Sequence, residues 1–500
     1  MRPRRPRVLM AAAGTLITTL VGAAALTGPA ATAATGAFGT GSASFVNSAA
    51  PANIDTGLLA NVDFAGEPSV GVNWNTGAAL YQAGNSTYKV RFDNTLATPG
   101  ISWSDVSSPF SQFNIDPILA TDSATGTTLA GGDDGPCAVM SRTTDDGATW
   151  TPSAPCPFTA DHPTVGIGPA SAATPTVTGE VGYFCQQTVV DECSHSLDGG
   201  LTWSPGVTDP NFTCLSLHGH VKIAPNGTAF VPSSNCIDSA GNSVVGAFTS
   251  SDNGFTWSGF GIPGATTPTD GFDPSIGIDK GNRIYESWSA KQANGDYHPV
   301  VSWSDDGGKT WAPTVDLAGT VPGGLGAATF ESAVAGDAAL STTGVATGAG
   351  RAAIAYLAAA QPTAGKDPFA AGYVGTWNLY VSYTYDSGAT WQTVQATTDP
   401  VQIGEIDAGG TTTSGQRNLL DFMDASMTKD GRVVVAYADG CLNDSTGAVY
   451  GAAKSCTTDA QSSDSWATVA YQAGGLGLLS SADVAAPVVI TKGKGKPKVH

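Results

Sequence analysis

The chain has 500 residues, of which only 13% are charged, with 63 glycines, 11 tryptophans and a formal net charge of −20. So acidic a surface makes nucleic acid or another polyanion a poor bulk partner, while leaving room for a local basic pocket. The glycine and tryptophan content suits a turn-rich all-β chain, and no segment beyond the leader offers the ~18 consecutive apolar residues of a membrane span.

The first segment reads as a leader. Arg2, Arg4, Arg5 and Arg7 precede an apolar stretch from Val8 to about Leu26, and Ala31-Thr32-Ala33-Ala34 resembles an A-x-A cleavage site. Residues 1–34 are therefore expected to be a secretory signal peptide, with Arg4-Arg5 allowing twin-arginine export as the alternative. Removing its four arginines takes the formal charge from −20 to −24. Eight cysteines follow the leader as near neighbours: Cys137 and Cys156, Cys185 and Cys193, Cys214 and Cys236, Cys441 and Cys456. In an exported chain they imply disulfides, with proximity suggesting those pairs and the connectivity left open. None has the C-x-x-C spacing of a zinc site.

Five segments share the pattern [S/T]-x-D-x-G-x-T-W: Thr143–Trp150, Ser196–Trp203, Ser250–Trp257, Ser304–Trp311 and Thr384–Trp391. The intervals between their tryptophans are 53, 54, 54 and 80 residues. The Asp carboxylate accepts backbone N–H groups in a tight turn. The Gly supplies positive φ, and the Trp buries a large ring beneath the turn. Alternating apolar residues flank the turns, as in Tyr380-Val381-Ser382-Tyr383, so they join antiparallel strands.

These segments resemble Asp boxes, the BNR repeats of sialidases and other Asp-box β-propellers. A second element recurs ahead of the boxes. It starts at Glu67-Pro68-Ser69-Val70, Asp116-Pro117-Ile118-Leu119, His162-Pro163-Thr164-Val165, His218-Gly219-His220-Val221 and Asp273-Pro274-Ser275-Ile276, with weaker copies at Glu331 and Asp424. Seven units of about four strands predict one all-β propeller of four-stranded antiparallel blades over 35–485, seven-bladed, with six blades as the alternative. Blade one carries a degenerate box ending near Trp103, and the last blade is expected to close with a terminal strand. The tail 486–500, with Lys492, Lys494, Lys496 and Lys498, is expected to be disordered.

In the Asp-box topology the inner strand begins on the face opposite the boxes, and the resemblance puts a sialidase-like active site there. All eight cysteines fall in or beside loops of that face, where disulfides would hold a binding surface or simply staple long loops. The residues opening the inner strands, Glu67, Asp116, His162, His218, Asp273, Glu331 and Asp424, should converge at the axis. Three readings stay open: acid/base chemistry between carboxylates of unequal pKa, a Ca²⁺ site using Glu67, Asp116 and Asp273, or side chains that bind nearby backbone N–H groups. Nearby loops add Lys366, Asp367, Phe369, Tyr373, Asp296-Tyr297-His298 and Arg417 to Asp424.

The resemblance implies a machine of three arginines, a Tyr–Glu pair and an Asp, the first arginine in an R-I-P motif. No R-I-P occurs here. Arg142, Arg283, Arg351 and Arg432 sit where the topology points them to the box face, and Arg91 closes a strand toward it. Only Arg417 is well placed, which argues against sialic acid as the substrate. The expected function is an extracellular glycoside hydrolase or lyase, with Glu331, Asp424 and Asp273 as acid/base groups. Arg417, His162, His218, Asp421 and Tyr297 would bind substrate. The alternative is a non-catalytic propeller that binds a glycan or protein. A monomer is expected, and no cofactor is required beyond a possible Ca²⁺.

Overall fold

The structure, a computed structural model, describes residues 42–51, 53–54, 62, 65–96, 98–110, 116–133, 138–153, 161–173, 176–187, 190–215, 217–266, 273–323, 328–335, 350–359, 375–404, 423–442 and 465–479. The leader and the basic tail lie outside these residues. Their strands form seven antiparallel sheets, each one blade of a propeller. Blade one runs Ser69–Asn73, Ala78–Ala83, Ser86–Asp93, Gly100–Asp105, from axis to rim. Blade two runs Pro117–Thr121, Thr128–Asp133, Ala138–Thr143, Thr151–Ser153. Blade three runs Asp161–Pro169, Glu180–Gln187, Asp191–Ser196, Val207–Thr208, and blade four Lys222–Ile223, Ala229–Ile237, Ser243–Ser250, Ser258–Thr266. Blade five runs Ser275–Ile278, Ile284–Lys291, Tyr297–Ser304, Val315–Asp316. Blade six runs Ala328–Ala335, Ala352–Ala359, Gly375–Thr384, Gln392–Gln395, with Gln402–Gly404 also paired to its third strand. Blade seven takes Asp424–Met427, Val433–Asp439 and Trp466–Gly474, and its rim strand is the N-terminal Ser44–Ala49. The count is seven, and the terminal strand expected to close the last blade comes from the N-terminus.

Middle strands are covered by a neighbouring blade on each face, so they read as continuous apolar runs rather than alternating ones. Ala352–Ala359 is buried at every position. The rim strand Gly100–Asp105, wet on one side, keeps the alternation. The core therefore lies in the seams: one cluster joins blades five, six and seven, another joins blade seven to blade one, and a third joins blades three and four.

The box turns explain how adjacent blades lock. In the box of blade four, Ser250 Oγ donates to Asp252 Oδ1 at 2.9 Å, and the same oxygen accepts the Thr256 N–H at 2.9 Å. The boxes at Asp145, Asp198, Asp306 and Asp386 repeat this pattern. Two consecutive residues adopt positive φ, the Gly and the residue before it. That second requirement was not drawn from the sequence, and it accounts for Asp146, Gly199, Asn253 and Gly307 at that position, with Ser387 the exception. The box also leans on the preceding blade. Trp150 Nε1 donates to Val106 O at 2.7 Å, and Trp203 Nε1 to Ser153 Oγ at 3.1 Å. At Gly254, with φ 86°, a Cβ would stand 2.8 Å from His195 Cβ of blade three. Gly254→Ala should therefore lower stability by about 1–3 kcal/mol through left-handed strain and the clash together, read as a lower urea midpoint at unchanged slope.

The arginines work on this same face. Arg142 Nε of blade two donates to Gly199 O in the box of blade three at 2.6 Å. Arg283 Nη1 of blade five donates to Ser387 O in the box of blade six. Arg351 Nη1 donates to Gly477 O at 3.1 Å, beyond the third strand of blade seven. Each ties one blade to the next, which is why none is free to grip a ligand at the opposite end.

Candidate functional site

Apart from 336–351, which joins strand ends at the box face, the long connections between described strands start and end on the face opposite the boxes. Residues 267–272, 360–374, 405–422 and 443–464 join described strand ends that lie there. Two disulfides brace it. Cys185–Cys193 crosses the hairpin of blade three, and Cys214–Cys236 ties the connection entering blade four to that blade's second strand. Cys441 is disulfide-bonded as well. Cys137, Cys156 and Cys456 lie outside the described residues.

At this end the inner strands open with the acidic and histidine residues singled out in the sequence. Glu67 and His162, each followed by proline, hold φ at 54° and 56°. A side chain in that region costs about 1–3 kcal/mol unless the surroundings impose it, and the following proline already disfavours the right-handed helical alternative. At His162 the turn brings Nε2 to 2.7 Å from Asp273 Oδ2 of blade five and 3.0 Å from the His218 carbonyl of blade four. A carbonyl oxygen only accepts, so Nε2 carries the proton in this arrangement. The His218 ring lies edge-on to that of His162, with centroids 5.3 Å apart. It is fully buried, and burial first, then the neighbouring His162, pushes its pKa down to about 3. His218 is thus neutral, and of the two rings only His162 stands against a carboxylate.

A second group forms across the axis. Asp424 Oδ1 of blade seven lies 3.1 Å from Lys222 Nζ and 3.4 Å from His220 Nδ1, both of blade four. Burial would push the Asp424 pKa up, but Lys222 and His220 outweigh it and hold the carboxyl well below the usual range. Asp424 is thereby held as an anion, a poorer proton donor than an ordinary carboxyl. Its other oxygen accepts the Val70 N–H of blade one at 3.1 Å. Asp116 Oδ2 likewise accepts the His162 N–H at 3.4 Å, and Thr164 Oγ1 the Val221 N–H at 3.0 Å. At Asp116 and Asp424, then, the ring residues bind backbone of a neighbouring inner strand.

Below the Asp424 group an axial cavity of about 150 Å³ runs between the inner strands toward the box face, lined there by Asp122, Ser123 and Ala124. Among the described residues no group of three or more His, Cys, Asp or Glu side chains is set to hold a metal ion, so Glu67, Asp116 and Asp273 do not make the expected Ca²⁺ shell. Tyr297 is buried in the seam of blades five and six, with Lys291 Nζ 5.1 Å from its ring centre. It is core rather than a substrate contact, because the third strand of a blade stands away from the axis. Glu331 lies in the inner strand of blade six, but its side chain is not among those described. Arg417 and Asp421 fall outside the described residues altogether. His220 and Lys222 were missed; they lie two residues apart where the chain enters the inner strand Lys222–Ile223, and both reach Asp424.

No family model matches the chain, and no curated protein does. Solved structures similar to it include a protein of unknown function from Dyadobacter fermentans, at 14% identity over 85% of this chain and 97% of that one, TM-score 0.39. The intramolecular trans-sialidase of Ruminococcus gnavus is 13% identical over 78% of this chain and 94% of that one, TM-score 0.36. The α-L-arabinanase of Penicillium chrysogenum is 11% identical over 87% and 98%, TM-score 0.38. At such scores these likenesses carry no weight for the site, and the assignment of a seven-bladed β-propeller rests on the strand pairing itself.

Proposed function

We propose that this chain is a secreted, sialidase-like propeller that acts on an extracellular glycan at its loop-bearing face, as a glycoside hydrolase or lyase. The observation that carries the reading is the His162–Asp273 pair, 2.7 Å apart at the axis, with His162 held in a strained backbone conformation. Such strain at a polar, convergent position is a mark of function rather than of packing. A histidine hydrogen-bonded to a carboxylate can take up and return a proton near neutral pH. Asp273 would orient the ring and stabilise its charged form. Glu331 and Arg417 would serve as the second carboxyl and the substrate clamp, on their places in the chain alone. The disulfides on this face and the arginine-headed leader support export, and no cofactor is assigned.

A second reading has its own observation. Asp116 and Asp424 spend their oxygens on backbone N–H groups of neighbouring blades, as a rigid non-catalytic binding surface would. Turnover on a panel of glycosides and uronate polysaccharides separates the two. The wild type should turn over one class, and Asp273→Asn should lose that turnover while keeping its melting temperature and its glycan binding. Binding by the wild type without turnover on any member would establish the non-catalytic propeller instead.

A further inference from the structure

Three seams between blades hold acidic side chains apart from the His162–Asp273 pair and the Asp424 group. Glu286 lies on the second strand of blade five, paired with Ile276 and Ser302. It shares a face with Ile284 and Trp288, which pack against Phe230, Ala247, Val245 and Ile262 of blade four. Neither of its carboxyl oxygens has a hydrogen-bond partner. No charged group among the described residues acts on it, and burial alone drives its pKa well above the usual value.

Asp122 ends the inner strand of blade two beside Glu180, which opens the second strand of blade three. Glu180 already accepts the hydroxyls of Thr125 and Thr127. The guanidinium of Arg142 borders the same spot, since a Cβ at Gly199 would meet both Arg142 Nη2 and Glu180 Oε2. Burial first, and then the charge of Glu180, raise Asp122 to about 6, against the Ala124 and Thr125 N–H groups that favour its anion. Asp439 ends the second strand of blade seven near Asp399, in the connection leaving blade six, where Gly440 N donates to Val401 O at 3.0 Å. Burial first, then Asp399, raise Asp439 to about 7, against the Cys441 N–H. The Tyr437 phenol is the other titratable group beside this pair.

We infer that the ring is closed in part by protons: at the seams of blades two and three, four and five, and six and seven, a carboxylic acid rather than a carboxylate completes the contact, so each of these seams is tighter in mild acid and looser in alkali. Two carboxylates side by side repel, whereas an acid beside a carboxylate can donate to it. A lone carboxyl in an apolar seam is tolerable only when neutral. All three groups have folded pKa values above their unfolded ones. Their stabilisation is therefore fully present below about pH 4, the unfolded range. It is lost as pH rises through about 6 for Asp122 and about 7 for Asp439, and through the raised pKa of the buried Glu286.

The test is urea unfolding of the disulfide-intact chain between pH 5 and 8, with Glu286→Gln, Asp122→Asn and Asp439→Asn beside the wild type. Asp93→Asn is the control: Asp93 is exposed, and hydrogen bonds from Thr95 hold its pKa low, so it stays ionised throughout this range. Relative to the wild type, each seam variant should lower the slope of the unfolding constant with pH by up to about tenfold per pH unit, while the control leaves it unchanged. The axial histidines contribute equally to every chain, so the difference in slope isolates the seams. Seam variants that keep the wild type's full slope would overturn the inference. Should Glu286→Gln not fold, proton uptake by the wild type on refolding at pH 7 decides: uptake supports buried acids, and none refutes them.

Discussion

Asp424→Ala will lower folding stability by about 3 kcal/mol, the low end for breaking a buried pair, because Lys222 keeps 27% of its side chain exposed. The change strands Lys222 and His220 beside the axial cavity and leaves the Val70 N–H of blade one without its acceptor. Lys222→Met should cost less, since the Asp424 carboxylate would keep two backbone donors, Val70 N and Ala425 N. The double variant should recover part of the loss, because a charge pair replaced by apolar groups is often near neutral where a broken pair is not. Urea midpoints for the three variants give the coupling directly. An Asp424→Ala protein as stable as the wild type but devoid of turnover would return this residue to the chemistry and remove the structural role given to it.

The architecture was legible because it repeats. Five boxes place five hairpins at one end, and the inner-strand openings place seven strand starts at the other. That polarity assigns the arginines to the box face, and Arg142, Arg283 and Arg351 lie there. What repetition hides is what a side chain does once neighbouring blades meet. Asp116, Asp273 and Asp424 look alike in sequence. Yet Asp273 receives a histidine, Asp116 caps a backbone N–H, and Asp424 crosses the axis to a lysine. These partners are set by the radial order of blades, which no single repeat records. Tyr297 shows a related limit: closeness to a loop in sequence says nothing of which strand, counted from the axis, the loop leaves, and here that is the third, in the seam of blades five and six.

Removing residues 1–50 should abolish cooperative folding, whereas removing residues 1–34 should leave it intact. Ser44–Ala49 is the whole rim strand of blade seven and pairs along Thr468–Gly474. Its side chains reach three blades: Ser48 Oγ accepts the Trp103 indole N–H of blade one, Asn47 accepts from Tyr437 of blade seven, and Asn47 donates to Ala396 O beyond blade six. Ala50 O accepts from Trp466 Nε1, a contact spanning 416 residues of sequence. Without this segment Trp466–Gly474 becomes an open apolar edge, which invites pairing with other chains. The seam of blades seven and one then keeps only the contacts of the inner and middle strands, among them Val70 N–H to Asp424. Contacts this distant in sequence form late, because the loop they close is the whole protein. A truncated chain should therefore accumulate open and aggregate unless the strand is returned. A peptide of residues 42–51 added during refolding should restore a soluble monomer by strand addition, measured by light scattering and tryptophan fluorescence. A chain lacking residues 1–50 that unfolds with the wild-type midpoint and slope would show that six complete blades and a three-stranded seventh close without it.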